Sequence, residues 1–154
     1  MVVWGGENPS KFDTGALYDP ATDTWVGSTS TTGALSARSH MRSVWTGREM
    51  LIWGGGAGGP HFNTGARYNP ATDTWSGPTP TAGAPGGRAS FAMVWTGRSA
   101  IVWGGDENGT LVTTGGLYQP PIPALGSHAA TITISAPDAD NSPQLITVDL
   151  TVNP

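Results

Sequence analysis

Cysteine is absent from all 154 residues. That excludes disulfides, thiolate nucleophiles and Cys-based zinc sites together. Charge is also scarce: seven Lys and Arg stand against eleven Asp and Glu, a net charge of −4. The cations occur singly along the chain. No basic patch exists to displace counterions from phosphates, so a nucleic-acid partner is not expected. No run approaches the roughly 18 apolar residues of a membrane span, so no span is expected either. No window carries a sustained 3.6-residue apolar stripe, which leaves almost no room for helix. The opening Met1-Val2-Val3-Trp4-Gly5-Gly6 has neither the basic n-region nor the apolar h-region of a signal peptide. Either the protein is cytoplasmic or a leader lies outside this chain.

What the sequence does have is Gly, Pro, Thr and Trp. The first two disfavour helix and favour turns, and the last two suit strands. It also has a repeat. Ala66-Arg67-Tyr68-Asn69-Pro70-Ala71-Thr72-Asp73-Thr74-Trp75 nearly copies Ala16-Leu17-Tyr18-Asp19-Pro20-Ala21-Thr22-Asp23-Thr24-Trp25, at an offset of 50. A third copy begins in phase as Gly116-Leu117-Tyr118-Gln119-Pro120 and then breaks off. A fixed period of this size means a solenoid, a propeller or an array.

Each repeat reads as short strands. Val2-Val3-Trp4, Leu51-Ile52-Trp53 and Ile101-Val102-Trp103 each end in a glycine pair. Their continuous apolar character predicts strands buried on both faces, and the glycines supply positive φ or close backbone approach. Arg42-Ser43-Val44-Trp45 and Ala92-Met93-Val94-Trp95 precede the second and third of these strands through Thr-Gly-Arg, which predicts tight hairpins. A third strand runs through Tyr into Asp-Pro or Asn-Pro turn chemistry, and a fourth surrounds Trp25 or Trp75. One unit is thus four antiparallel strands in about 50 residues. Such a sheet cannot bury both faces alone and needs neighbours.

The order Gly-Gly, Tyr, Trp, with hairpin strands between, resembles the kelch repeat. The Tyr-Asp-Pro-Ala-Thr-Asp-Thr-Trp and Val-Trp-Thr-Gly blocks are similar to its bacterial version. The resemblance covers residues 1–120 and implies an all-β fold: a partial kelch-type β-propeller of four-stranded blades. The first unit lacks its first strand. The third stops after Tyr118, so only residues 38–76 form a complete unit. The chain reads as a fragment of a larger propeller or a piece that assembles with other copies, since open blade edges are adhesive.

The tail differs. Residues 121–128 are a Pro-rich linker. Residues 129–154 contain two strands of alternating character, Ala130 to Ser135 and Leu145 to Val152, around the turn cluster 137–143. This hairpin is similar to the end of an immunoglobulin-like module of the BACON type.

Candidate site residues follow from the repeat. The loops after Gly-Gly differ most between copies, and variable loops on a repeated scaffold carry binding. They offer Glu7, Lys11, Phe12, His61, Phe62, Asp106, Glu107 and Asn108. The alternative is plain solvent loop. Arg38 and Arg88 recur at offset 50; they line a central channel or bond backbone carbonyls of a neighbouring blade. Asp23 and Asp73 offer oxygen to calcium, or simply bond their own turn. His40, His61 and His128 have no metal-ligand spacing, so no metal site and no cofactor are expected, and no catalytic residue stands out.

These features favour a non-catalytic binding or scaffold module with a protein or carbohydrate partner. One alternative is a structural piece that completes a propeller between chains as a homo-oligomer. Another is the remnant of a galactose-oxidase-like or other propeller enzyme. Galactose-oxidase copper chemistry requires a Cys crosslinked to Tyr, which the missing cysteine removes. The resemblance favours a secreted or cell-surface location.

Overall fold

The computed structural model describes residues 1–121, 128–134 and 144–150. Among them there is no helix, and the strands form several small antiparallel sheets that do not close into a barrel. The chain divides into two compact units, Met1–Pro120 and Pro121–Pro154.

The larger unit contains three tandem sheets. The first has strands β1 (Val2–Trp4), β4 (Gly15–Asp19) and β5 (Thr24–Ser28), in that order, with a small ribbon of β2 (Glu7–Asn8) and β3 (Ser10–Lys11) between. The second is complete: β6 (Arg42–Trp45), β7 (Met50–Trp53), β8 (Gly65–Asn69) and β9 (Thr74–Pro78). The third has β10 (Ala92–Trp95), β11 (Ala100–Trp103) and β14 (Gly115–Tyr118), with a ribbon of β12 (Asp106–Glu107) and β13 (Thr110–Leu111). Registers repeat faithfully. Trp53 pairs with Gly65 as Trp4 pairs with Gly15 and Trp103 with Gly115. The two ribbons were not legible as strands, because a pair of two-residue strands carries no periodicity.

Local chemistry explains the turns. In the β6–β7 hairpin, the Thr46 N–H donates to the Glu49 carbonyl, and Thr46 Oγ1 accepts from the Glu49 N–H. Thr96 and Ser99 do the same between β10 and β11. Between β8 and β9, Asn69 Oδ1 accepts the Ala71 N–H, and Asp19 does so for Ala21 in the first sheet. These are the Asx turns that Asn-Pro and Asp-Pro favour.

The core lies between successive sheets. All four residues of β7 are buried. Side chains alternate along a strand. Met50 and Ile52 accordingly join Tyr68, Ala66, Leu35 and Trp4 of the first sheet, with Trp75 packed alongside. Trp53 faces the other way and joins Phe91 and Val102. Trp4 and Trp75 meet edge-on at 5.5 Å between ring centroids, and Trp53 and Phe91 at 5.4 Å. Burying each such side chain is worth about 1.5–3 kcal/mol.

The glycine pairs permit this approach. Gly54 has φ +73, and a Cβ there would stand 2.6 Å from Phe91 Cε1 and 2.8 Å from the Arg88 carbonyl. Gly55, at φ +81, would meet the Ser39 carbonyl at 2.5 Å.

In the smaller unit, β15 (His128–Ile134) pairs antiparallel with β16 (Gln144–Leu150), from His128 opposite Leu150 to Ile134 opposite Gln144. Most of the expected linker and the turn cluster 137–143 lie outside the described residues.

Candidate functional site

Each loop after a glycine pair is closed by the same bond. The N–H groups of Phe12, Phe62 and Val112 donate to the carbonyls of Gly6, Gly55 and Gly105. The next step ties neighbouring units: the Arg38 N–H donates to the Phe12 carbonyl, and the Arg88 N–H to the Phe62 carbonyl. The backbones of Phe12 and Phe62 are therefore structural. Phe12 is 41% exposed, whereas the Phe62 ring lies 4.2 Å under the Arg38 guanidinium.

The two recurrent arginines are buried, at 2% and 1% exposure. Arg38 donates to the carbonyls of Ser36, Gly54 and Thr64 and to Ser36 Oγ. Arg88 donates to Gly86, Gly104 and Thr114 carbonyls and to Glu107 Oε2 at 3.1 Å. Gly54 and Thr64 flank one loop, and Gly104 and Thr114 flank the next. Each guanidinium thus clamps the mouth of the loop in the sheet it leads into, rather than reaching the carbonyls of a neighbouring sheet. Burial lowers the Arg38 pKa to about 10.

Loop side chains meet across units. The His61 N–H donates to Asn108 Oδ1 at 2.6 Å. His61 Nδ1 stands 3.0 Å from the Asp106 carbonyl and 3.2 Å from the Asn108 N–H. The tautomer decides which of those bonds forms, since one nitrogen cannot donate and accept at once. Asn108 has φ +54, and Asp106 Oδ1 accepts the Gly109 N–H. Gly59, Pro60, His61, Asp106, Asn108 and Gly109 line an open cleft of about 490 Å³.

The first loop forms a separate cluster. Lys11 Nζ lies 3.1 Å from Glu7 Oε2, and Ser39 Oγ donates to the same oxygen. Lys11 first, then Ser39, hold the Glu7 carboxyl below its ordinary pKa. Ser39 Oγ also lies 3.0 Å from His40 Nδ1. In this trio the carboxylate holds the hydroxyl. In an acyl-transfer relay it would stand behind the imidazole and orient it.

No protein-family model matches this chain, and no curated protein matches it. The geometry therefore carries the functional argument.

The structure brings His61, Asp106 and Asn108 to one cleft and Glu7 and Lys11 to one cluster, while Glu107 is held by Arg88. Sequence reasoning missed Ser39 and weighed His40 only as a metal ligand, because the partner Glu7 lies 32 residues away from Ser39. It also missed the cleft residues Gly59, Pro60 and Gly109. Asp23 and Asp73 depart from the turn bonds expected of them. Neither bonds the backbone of its own turn. Asp23 Oδ1 accepts the Tyr18 hydroxyl, and Asp73 Oδ1 accepts the Tyr68 hydroxyl at 2.7 Å and the Ser30 N–H at 2.7 Å. The Ser30 N–H, followed by Tyr68, keeps the Asp73 carboxyl below its ordinary pKa. Among the described residues, no three His, Asp or Glu side chains come together as a metal site would require. Among those residues no helix is long and apolar enough to cross a membrane.

Proposed function

We propose that residues 1–120 are consecutive blades of a kelch-type β-propeller and act as a non-catalytic scaffold, presenting the loops after the glycine pairs to a protein or carbohydrate partner. The observation that carries this reading is the fastening of the second and third loops by His61, Asp106 and Asn108. A surface ordered before binding loses less entropy when a partner arrives. The cleft beside it offers an imidazole, an amide and backbone groups, which suit hydroxyls or peptide groups. Support for the blade reading comes from the threefold Trp-Gly-Gly register and the arginine clamp that recurs at the same phase.

The test is a screen of oligosaccharides and peptides by NMR, observing backbone amides. The expected result is a ligand whose shifts concentrate at residues 59–61 and 106–109, and whose binding is lost in Asn108→Ala. A ligand that shifts only residues elsewhere would overturn the loop assignment.

A further inference from the structure

The contact between adjacent sheets has two different faces. The first sheet presents Val2, Trp4 and Leu17, and the second meets them with Met50, Ile52, Ala66, Tyr68 and Trp75. At the centre, Trp4 is only 7% exposed beneath the edge of Trp75. By the repeat register, both faces recur at the two ends of the stack. The third sheet carries Trp103 where the first has Trp4, and Leu117 where it has Leu17. The first sheet carries Trp25 where the second has Trp75, and Met1 and Val3 where it has Met50 and Ile52.

These end residues are open to solvent. Trp103 is 57% exposed and Leu117 68%; at the other end Trp25 is 60% exposed, Met1 66% and Val3 41%. Large apolar groups gathered on a surface mark an interaction site. Here the repeat also identifies the occupant. The two ends carry counterparts of the faces that already meet inside the chain between the first and second sheets, where Leu35 and Met41 also join them.

We propose that this chain associates with a second copy head to tail. Trp25 of one copy packs edge-on against Trp103 of its neighbour, as Trp75 packs on Trp4. The interface is heterologous, so it extends to a ring or an open array according to the rotation per copy. This proposal stands on the stacking of the sheets and is independent of what the loops bind.

The test uses sedimentation velocity on the full chain and two variants, Trp25→Glu and Trp103→Glu. Both side chains are more than half exposed, so both variants keep the wild-type circular dichroism. The wild type is expected to gain mass with concentration. Each variant alone stays monomeric, because one of its faces is spoiled. Mixed in equal amounts they restore a one-to-one dimer and nothing larger, since each retains the face that the other lacks. A wild type that is monomeric at every concentration would overturn the proposal. So would variants that still self-associate, or a mixture that stays monomeric.

Discussion

Tyr68 shows how one side chain joins local turn chemistry to packing. Its ring is fully buried against Trp75 at 5.1 Å, and its hydroxyl reaches Asp73 five residues on. Burial first, then Asp73, raises its pKa from 10.0 to about 12. A raised pKa contributes stability that is complete below the unfolded value and is lost as pH climbs through the folded one. Stability should therefore fall between about pH 10 and 12. An ultraviolet titration should find Tyr68 ionising late and together with unfolding, and Tyr68→Phe should weaken that dependence. Ionisation near 10 with the fold intact would contradict the burial argument. Trp53 makes a second test. At 3% exposure against Phe91 it fills an interior position. Trp53→Ala should cost about 3–5 kcal/mol in chemical denaturation; a change near zero would show that the Trp53–Phe91 contact does not hold the sheets together.

At the scale of elements, the strand ends and loop mouths set the geometry. Gly54→Ala forces a side chain into φ +73 and into the Phe91 ring and Arg88 carbonyl. Backbone strain alone costs about 1–3 kcal/mol, and the clash adds to it. Gly47 in the β6–β7 turn also has positive φ, but nothing lies within 4 Å of its Cβ position. Gly47→Ala should therefore destabilise less in the same melt, and equal losses would show that close approach does not matter. Arg88→Lys tests the loop clamp. Lysine lacks the planar fork, so the part-buried carbonyls of Gly104 and Thr114 lose their partner, at less than the roughly 1–3 kcal/mol that a fully buried group costs when left unpaired. The loop 106–113 should then exchange its amides faster, whereas unchanged exchange would mean that the clamp is not what orders it.

Much of this level was legible in the sequence. Trp-Gly-Gly and the Tyr-to-Trp block recur in phase, and recurrence reports which positions are constrained. It does not report by what. Arg38 and Arg88 were visible as a pair, but their burial depends on carbonyls 16 and 26 residues further on. Asp73 was visible as a turn residue, but its acceptor role toward Ser30 spans 43 residues. The His61–Asn108 tie joins residues that do not recur, so no periodicity announces it.

For the whole larger unit, stability should be unequal. The second sheet is covered on both faces, by the Trp4 cluster on one side and the Trp53 cluster on the other. The outward faces of the first and third sheets carry exposed Trp25 and Trp103. Buried contacts set the free energy of local opening. The most direct measurement is native-state amide hydrogen exchange at a concentration where the chain is monomeric. The slowest amides should belong to Met50–Trp53 and Gly65–Asn69, with β1 and β14 opening first. Equal protection in all three sheets, or greater protection at the ends, would contradict the account of a central sheet held between its neighbours.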